Sequence, residues 1–183
     1  MSHQRGVMEN LLLRVFQSQV ADQCRFALTG AALINEGNQV HDQDRLWTGC
    51  QMFVVGAGNT SKALWGDGRD RPRISKRRQP LRESLAVDDN SPLYSLDLRN
   101  HFEHYDERIE RWWASSTSRN HLDRLIGKPA TVSGIVDTDM FRVFDPSEPT
   151  IYFWGERYAL QPIASECDRI YRLAQAEAAK PHC

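Results

Sequence analysis

An arginine and a histidine five residues apart form the pattern in this chain that is most suited to chemistry. Arg99 is followed by Asn100, three further residues and His104. Arginine is a permanent cation whose planar fork of donors matches phosphate, and histidine exchanges a proton near neutral pH. RNA carries its own nucleophile, the 2′-hydroxyl group. A histidine that takes its proton, together with a cation that stabilises the phosphorane, would cleave RNA without a metal.

The polar neighbours of this pair fit two interpretations. On one straight helix, Asn100, His104 and Glu107 fall opposite the apolar side, and Arg99 and Glu103 fall on one flank. In a catalytic site, the amide could bind phosphate or orient the histidine. The two glutamates could fix the imidazole tautomer, although they would also repel phosphate. The other interpretation is an exposed helix face rich in ion pairs between residues four apart. Both place the polar set toward solvent or another chain.

A metal site is a weaker interpretation of the same segment. His101 and His104 are three residues apart and could share a metal with Glu107. The Glu-x-x-His spacing of helical di-iron sites is missing, because position 98 is Leu. We therefore expect no metal and no cofactor, with His101 and Tyr105 as supporting or interface residues.

A basic segment at residues 66–80 is predicted as a loop, because Pro72 and Pro80 should break any helix. It contains six cations: Arg69, Arg71, Arg73, Lys76, Arg77 and Arg78. One interpretation is a phosphate-contacting strip for RNA, formed by the last four of them. The other is a solvated, mobile loop. Lys62, near the end of the second helix, could face the Arg99 helix and touch phosphate, or could stabilise the helix carbonyls and dipole.

Hydrophobic periodicity predicts the elements that must position these residues. Apolar residues recur every three or four positions in four long helices, at about 9–36, 44–65, 92–113 and 158–178. The first helix is expected to end at a left-handed cap on Gly37, and the third to begin at Ser91-Pro92. The first two helices should pack antiparallel. A short helix is predicted at 81–86, and a helical turn at 121–126.

Between the last two long helices the pattern changes to short β-branched or aromatic runs separated by Asp, Pro and Gly. These predict a small hairpin or meander at about 129–155, with strands at Thr131–Val136, Phe141–Phe144 and Ile151–Trp154. The fold class is therefore mainly α, a bundle of four to five helices with a small β insertion before the C-terminal helix. We expect residues 1–183 to form a single domain.

Composition excludes several classes of protein. Hydrophobic residues make up 40% and charged residues 26% of the 183, and the net charge is −1, so any patch that attracts nucleic acid must be local. No apolar run is long enough for a transmembrane helix, and residues 1–6 lack the pattern of a secretion signal. The four cysteines, which are far apart in sequence, fit reduced and mostly buried thiols. We therefore expect a cytoplasmic protein.

The strings Leu98–Arg108 and Asn59–Trp65 resemble a family of uncharacterised bacterial proteins with folds of the HEPN type. Arg99, Asn100 and His104 match the Arg-polar-x3-His signature of the HEPN superfamily. Many of its members are metal-independent ribonucleases and toxins. In one branch of toxins, a tyrosine two residues after the histidine accepts a nucleotidyl group. Here that position is Asp106, so the resemblance does not extend to this feature.

The resemblance implies a HEPN-like homodimer in which two such helices face each other through residues 99–107 and build one cleft. The function it implies is a metal-independent endoribonuclease, a toxin or phage-defence effector with RNA as substrate and an antitoxin as a further partner. The alternative is a catalytically silent HEPN-like binding or scaffolding module, in which Arg99 and His104 are interface residues. The two differ in whether the His104 side chains open onto a positively charged cleft.

Overall fold

A computed structural model describes residues 2–95 and 97–181 of the chain, with side chains from residue 10 onward. The described part is mainly helical, with a small sheet before the last helix, as predicted. The helices are α1 (Ser2–Gln39), α2 (Gln43–Trp65), α3 (Arg71–Arg77), α4 (Gln79–Ser84), α5 (Asp97–Glu103), α6 (Tyr105–Ser115) and α7 (Leu160–Ala178). The strands are β1 (Leu125–Ile126), β2 (Val143–Asp145), β3 (Thr150–Phe153) and β4 (Glu156–Ala159). None of these helices is long and apolar enough to cross a membrane.

Helices α1 and α2 pack antiparallel, as predicted, and glycines let their backbones approach closely. Gly30 and Gly37 on α1 face α2, and Gly49 and Gly56 on α2 face α1. A Cβ atom added at any of the four would lie under 3.0 Å from backbone of the other helix. The predicted left-handed cap at Gly37 is wrong, because α1 continues to Gln39 and His41 takes the left-handed conformation, with φ of 56°. Gly37 serves close packing instead.

Helix α7 also packs on α1, and residues of α1, α2 and α7 share the main core. Cys24 of α1, Cys50 of α2 and Cys167 of α7 are all buried free thiols in this core, as expected. Cys183 lies outside the described residues.

The predicted long helix at 92–113 is wrong in two respects. Ser91-Pro92 lies in a turn, and the helix is divided at His104, whose φ of −103° and ψ of 39° are not helical. Phe102 of α5 is buried in the main core, whereas Trp112 of α6 is buried in a second, aromatic cluster. We attribute the break to these two packing partners, which a straight helix could not both reach. Beyond the break, Trp113 is exposed.

The basic segment is also helical, which corrects the predicted loop. It forms α3 and α4, and the short helix expected at 81–86 is α4, at Gln79–Ser84. Pro72 and Pro80 each lie in the first turn of their helix, where the missing proline N–H would have no intrahelical partner. Both prolines therefore start helices here rather than break them.

The sheet has the order β1-β2-β3-β4, with β1 parallel to β2 and the remaining pairs antiparallel. The strands predicted near 141–144 and 151–154 are confirmed with shifted ends. The strand predicted at Thr131–Val136 is wrong, because a 3-10 turn occupies Pro129–Thr131 and no strand follows there. The helical turn predicted at 121–126 is wrong as well, because β1 and a bridge from Leu122 to Met140 lie there.

Candidate functional site

Arg99 is buried and ion-paired, which corrects the prediction that it flanks an exposed face. Its side chain is 8% exposed, and one guanidinium nitrogen lies 3.0 Å from Oδ2 of Asp67. The other terminal nitrogen pairs with the carboxylate of Glu103, one turn further along α5. The aliphatic stem crosses Gly58 of α2 so closely that an added Cβ would lie 2.6 Å from its Cγ. Arg99 thus links α5 to the end of α2.

Lys62 belongs to the same ion-pair group. Its ammonium lies 3.1 Å from Oδ2 of Asp67 and 4.0 Å from Oε2 of Glu103, so of the two alternatives for Lys62 it faces the Arg99 helix, α5. The group contains two cations, Lys62 and Arg99, and two carboxylates. Its charge is therefore balanced, and a phosphate that approached Arg99 would have to displace a carboxylate. Sequence reasoning missed Asp67, which follows directly after the glycine that ends α2.

His104 is the exposed member of the predicted catalytic set. Its side chain is 50% exposed, and Nδ1 lies 3.2 Å from Oε1 of Glu107. Asn100 accepts a backbone hydrogen bond from His104 at 3.0 Å, and its side-chain oxygen accepts one from Arg99 at 3.3 Å. In the described part of the chain, no hydrogen bond or ion pair joins the Arg99 guanidinium to the His104 imidazole. The structure therefore separates a buried Arg99 group from an exposed His104–Glu107 pair.

His101 lies in a polar group between α5, α6 and the sheet rather than beside His104. Its ring stacks on Phe153 with centroids 4.4 Å apart. Arg108 Nε donates to Nδ1 at 3.2 Å, so the proton of the neutral ring lies on Nε2, which donates to Glu156 at 3.3 Å. The hydroxyl of Tyr158 donates to the same carboxylate. Burial lowers the pKa of His101, although Glu156 opposes the shift.

Tyr105 is a packing residue between α6 and the sheet. Its ring lies 5.4 Å from the ring of Phe141 and 6.2 Å from that of Phe153, and the guanidinium of Arg142 lies 4.6 Å from its centroid. Burial raises the pKa of its hydroxyl well above the ordinary value. Tyr105 and His101 therefore support the site only by holding α5 and α6 against the sheet.

Arg78 turns inward and caps α2, which corrects its place among the predicted RNA contacts. One of its guanidinium nitrogens donates to the carbonyl of Ala63 at 2.5 Å, and Arg82 donates to that of Leu64 at 2.9 Å. These carbonyls belong to the last turn of α2, where backbone acceptors have no partner within the helix. The guanidinium also lies 3.8 Å above the ring of Phe16. Burial lowers the pKa of Arg78, and the positive charge of Arg77 lowers it further.

Other cations of this segment remain in solvent. Arg73, Lys76 and Arg77 are exposed on α3 and fall within an arc of about 100°, whereas the side chain of Ile74 approaches Gly66. Arg69, just before the helix, is exposed as well. We call these four residues the outward basic face. Of the four, Arg73 has an ion-pair partner in the described residues, Asp70 at 3.4 Å.

Tyr94, which sequence reasoning missed, lies next to α3. Arg71 of α3 donates to its backbone carbonyl at 2.5 Å and places its guanidinium 4.4 Å from the ring centroid. The buried ring of Trp65 meets the tyrosine edge-on, with centroids 5.4 Å apart. Even so, Tyr94 remains 42% exposed. An aromatic residue within an arginine-rich stretch of sequence could have drawn attention, but Tyr94 is 23 residues from Arg71.

Comparison with protein-family models, with curated proteins and with solved structures found no match for this chain. The resemblance to the HEPN superfamily therefore stays a prediction. Within residues 2–95 and 97–181, no group of three or more His, Cys, Asp or Glu side chains is arranged to hold a metal ion. The surface features that remain for chemistry are the exposed His104–Glu107 pair and the outward basic face.

Proposed function

We propose that this chain is an RNA-binding module that holds phosphate groups with its outward basic face and does not itself cleave RNA. One observation carries this proposal: Arg73, Lys76 and Arg77 project from a single face of α3 into solvent, with Arg69 beside them. The whole chain has a net charge of −1, so this concentration of cations is a local feature. Such a patch binds a polyanion through release of its counterions.

The state of the Arg99 group supports the non-catalytic form of the module. Stabilisation of a phosphorane requires a cation that is free to meet the developing charge. Arg99 and Lys62 are instead committed to Asp67 and Glu103, and Glu107 adds a further negative charge beside His104. In this proposal, Arg99 holds α5 to α2, and His104 is a surface residue. The chain then corresponds to the binding alternative of the HEPN resemblance.

The second candidate is the metal-independent ribonuclease, and the exposure of His104 favours it. The imidazole is half exposed, and Glu107 is placed to fix its tautomer. In that mechanism, His104 removes the proton of the 2′-hydroxyl, and the oxygen attacks the adjacent phosphorus. The bond to the 5′-oxygen breaks, that oxygen takes a proton from the His104 imidazolium or from water, and a 2′,3′-cyclic phosphate end remains. A homodimer about residues 99–107 would have to supply the positive charge that Arg99 cannot, and an antitoxin would be a further partner.

The binding proposal is tested by a salt titration of RNA affinity. We expect Arg73→Gln/Arg77→Gln to weaken RNA binding about equally across sequences. The plot of log affinity against log salt should flatten by about 0.7 units for each phosphate of a single strand that the variant no longer neutralises. The matched control is Arg25→Gln/Arg172→Gln, which removes two exposed, ion-paired arginines from other helices.

Two outcomes would contradict the binding proposal. One is the same slope for the wild type and Arg73→Gln/Arg77→Gln, and the other is the same loss of affinity in the control. The wild type is also tested on vesicles of phosphatidylserine and phosphatidylcholine. Binding to these vesicles without binding to RNA would assign the outward basic face to a membrane surface instead.

A cleavage assay in EDTA separates the two candidates. We expect the wild type to leave RNA intact, as His104→Ala does. If the wild type cleaves and His104→Ala loses about 10²–10⁴-fold in rate, the ribonuclease candidate is correct. The products should then carry cyclic or 3′-phosphate ends.

A further inference from the structure

We infer that the strand bound at the outward basic face is single-stranded, because Tyr94 offers a ring on which an unpaired base can stack. This inference rests on the proposed function and specifies its substrate class. It depends on the position of an exposed aromatic ring at the edge of the cationic helix. Proteins that bind single strands combine cationic grooves for the backbone with aromatic rings for the bases.

The ring of Tyr94 is held in a fixed orientation. The guanidinium of Arg71 lies 4.4 Å from its centroid, and the same arginine donates to the backbone carbonyl of Tyr94. Trp65 meets the ring edge-on and is itself anchored through Nε1 to Asp89 at 2.6 Å. Because these contacts order the ring before ligand arrives, a base that stacks on it would not have to immobilise the side chain.

The neighbouring charges would guide the backbone of the same strand. Arg71 contacts Tyr94 from α3, and Arg73 and Arg77 project from the exposed side of that helix. Arg69 and Arg73 are exposed two residues before and after Arg71, so the phosphates that adjoin a base on the tyrosine are within reach of these cations as the strand continues along α3. In a duplex the bases are paired and stacked on one another, so their faces are not available to Tyr94. A duplex can use the outward basic face but not the ring.

The test measures the affinity of a labelled 12-nucleotide single strand and of a duplex of the same length by fluorescence anisotropy. We expect Tyr94→Leu to weaken single-strand binding about tenfold, as loss of one stacked base implies, and to leave duplex binding unchanged. Tyr94→Phe, which keeps the ring, should bind as the wild type does. Arg73→Gln/Arg77→Gln should weaken both ligands.

The matched control is Trp113→Leu on α6. Trp113 is also exposed and also lies under an arginine, with the guanidinium of Arg119 3.8 Å from its centroid, but it lies outside the outward basic face. We expect no change in affinity for this variant. Thermal melts confirm that each variant is folded.

The possible failures are distinct. If Tyr94→Leu binds single strands as the wild type does, or weakens both ligands equally, the stacking inference is wrong. The binding proposal then still stands on the weaker binding of Arg73→Gln/Arg77→Gln. If the wild type binds neither the single strand nor the duplex, both the binding proposal and the inference are wrong.

Discussion

Replacement of Gly49 by alanine tests how closely α1 and α2 approach. A Cβ atom at this position would lie 2.7 Å from the carbonyl oxygen of Gly30 and 2.7 Å from the backbone nitrogen of Ile34. Ordinary contacts of a Cβ atom begin at 3.4 Å. Neither obstacle is a side chain that can rotate away, so the two helices must move apart by several tenths of an ångström. This interface lies in the main core, so the separation loosens the packing around it.

Two opposing effects determine the size of the change. Alanine is favoured over glycine inside a helix by about 1 kcal/mol. Overpacking of a well-packed interior costs about 1–3 kcal/mol, and the rigid obstacles here place Gly49→Ala toward the upper end. We expect a net loss of about 2 kcal/mol in the free energy of unfolding. For a chain of this length, that corresponds to a fall in melting temperature of about 4–8 °C.

Urea unfolding and thermal melts followed by circular dichroism measure this effect. The control is Ser18→Ala at an exposed position of α1, where alanine also raises helix propensity but adds no atom between the two helices. This variant should keep or gain stability. A Gly49→Ala protein as stable as the wild type would refute the reasoning.

Two further predictions concern the site. Arg99→Met should lower the free energy of unfolding by about 1–3 kcal/mol, because it removes the buried cation and leaves Lys62 alone to balance two carboxylates. His104→Ala should change it by less than about 0.5 kcal/mol. Urea titrations measure both, and equal stability of the two variants would contradict the buried position of Arg99. The lowered pKa of His101 means that the unfolded chain binds its proton more readily, so stability should be complete above about pH 6.5 and should fall as the pH drops through the native value. His101→Gln should remove this part of the acid dependence in melts between pH 4 and 8. If the difference in stability between the wild type and His101→Gln is the same at every pH in that range, His101 does not contribute to the acid dependence.

The sequence alone predicted the long helices well where one continuous apolar stripe is buried in a single core. Helices α1, α2 and α7 each follow a single apolar stripe. Their predicted ends lie within three residues of those in the structure, except that α1 begins at Ser2, seven residues before the predicted start. The small sheet before α7 was predicted as well, from β-branched and aromatic runs between turn residues. In all of these, the pattern depends only on which side of an element is buried, and that is local information.

The same reasoning failed where one stretch of chain is buried partly in the main core and partly in the aromatic cluster. Residues 92–113 carry enough apolar residues for one helix, but Phe102 is buried in the main core and Trp112 in the aromatic cluster. The break at His104 separates the parts that pack in the two clusters, whose positions no local pattern contains. Pro72 and Pro80 show the related limit that a proline can start a helix or end one, and the packing of the next segment decides which.

For the candidate site, the sequence identified the types of residue and the tertiary structure decided their roles. Arginine is suited to phosphate and also to carboxylate or a helix carbonyl, so its residue type leaves all of these partners open. Arg99 meets Asp67, 32 residues away, and Arg78 meets the carbonyl of Ala63, 15 residues away, because α2 ends where α3 and α5 pass it. Arg73 and Arg77 of α3 are exposed in the described structure, so their charges remain in solvent.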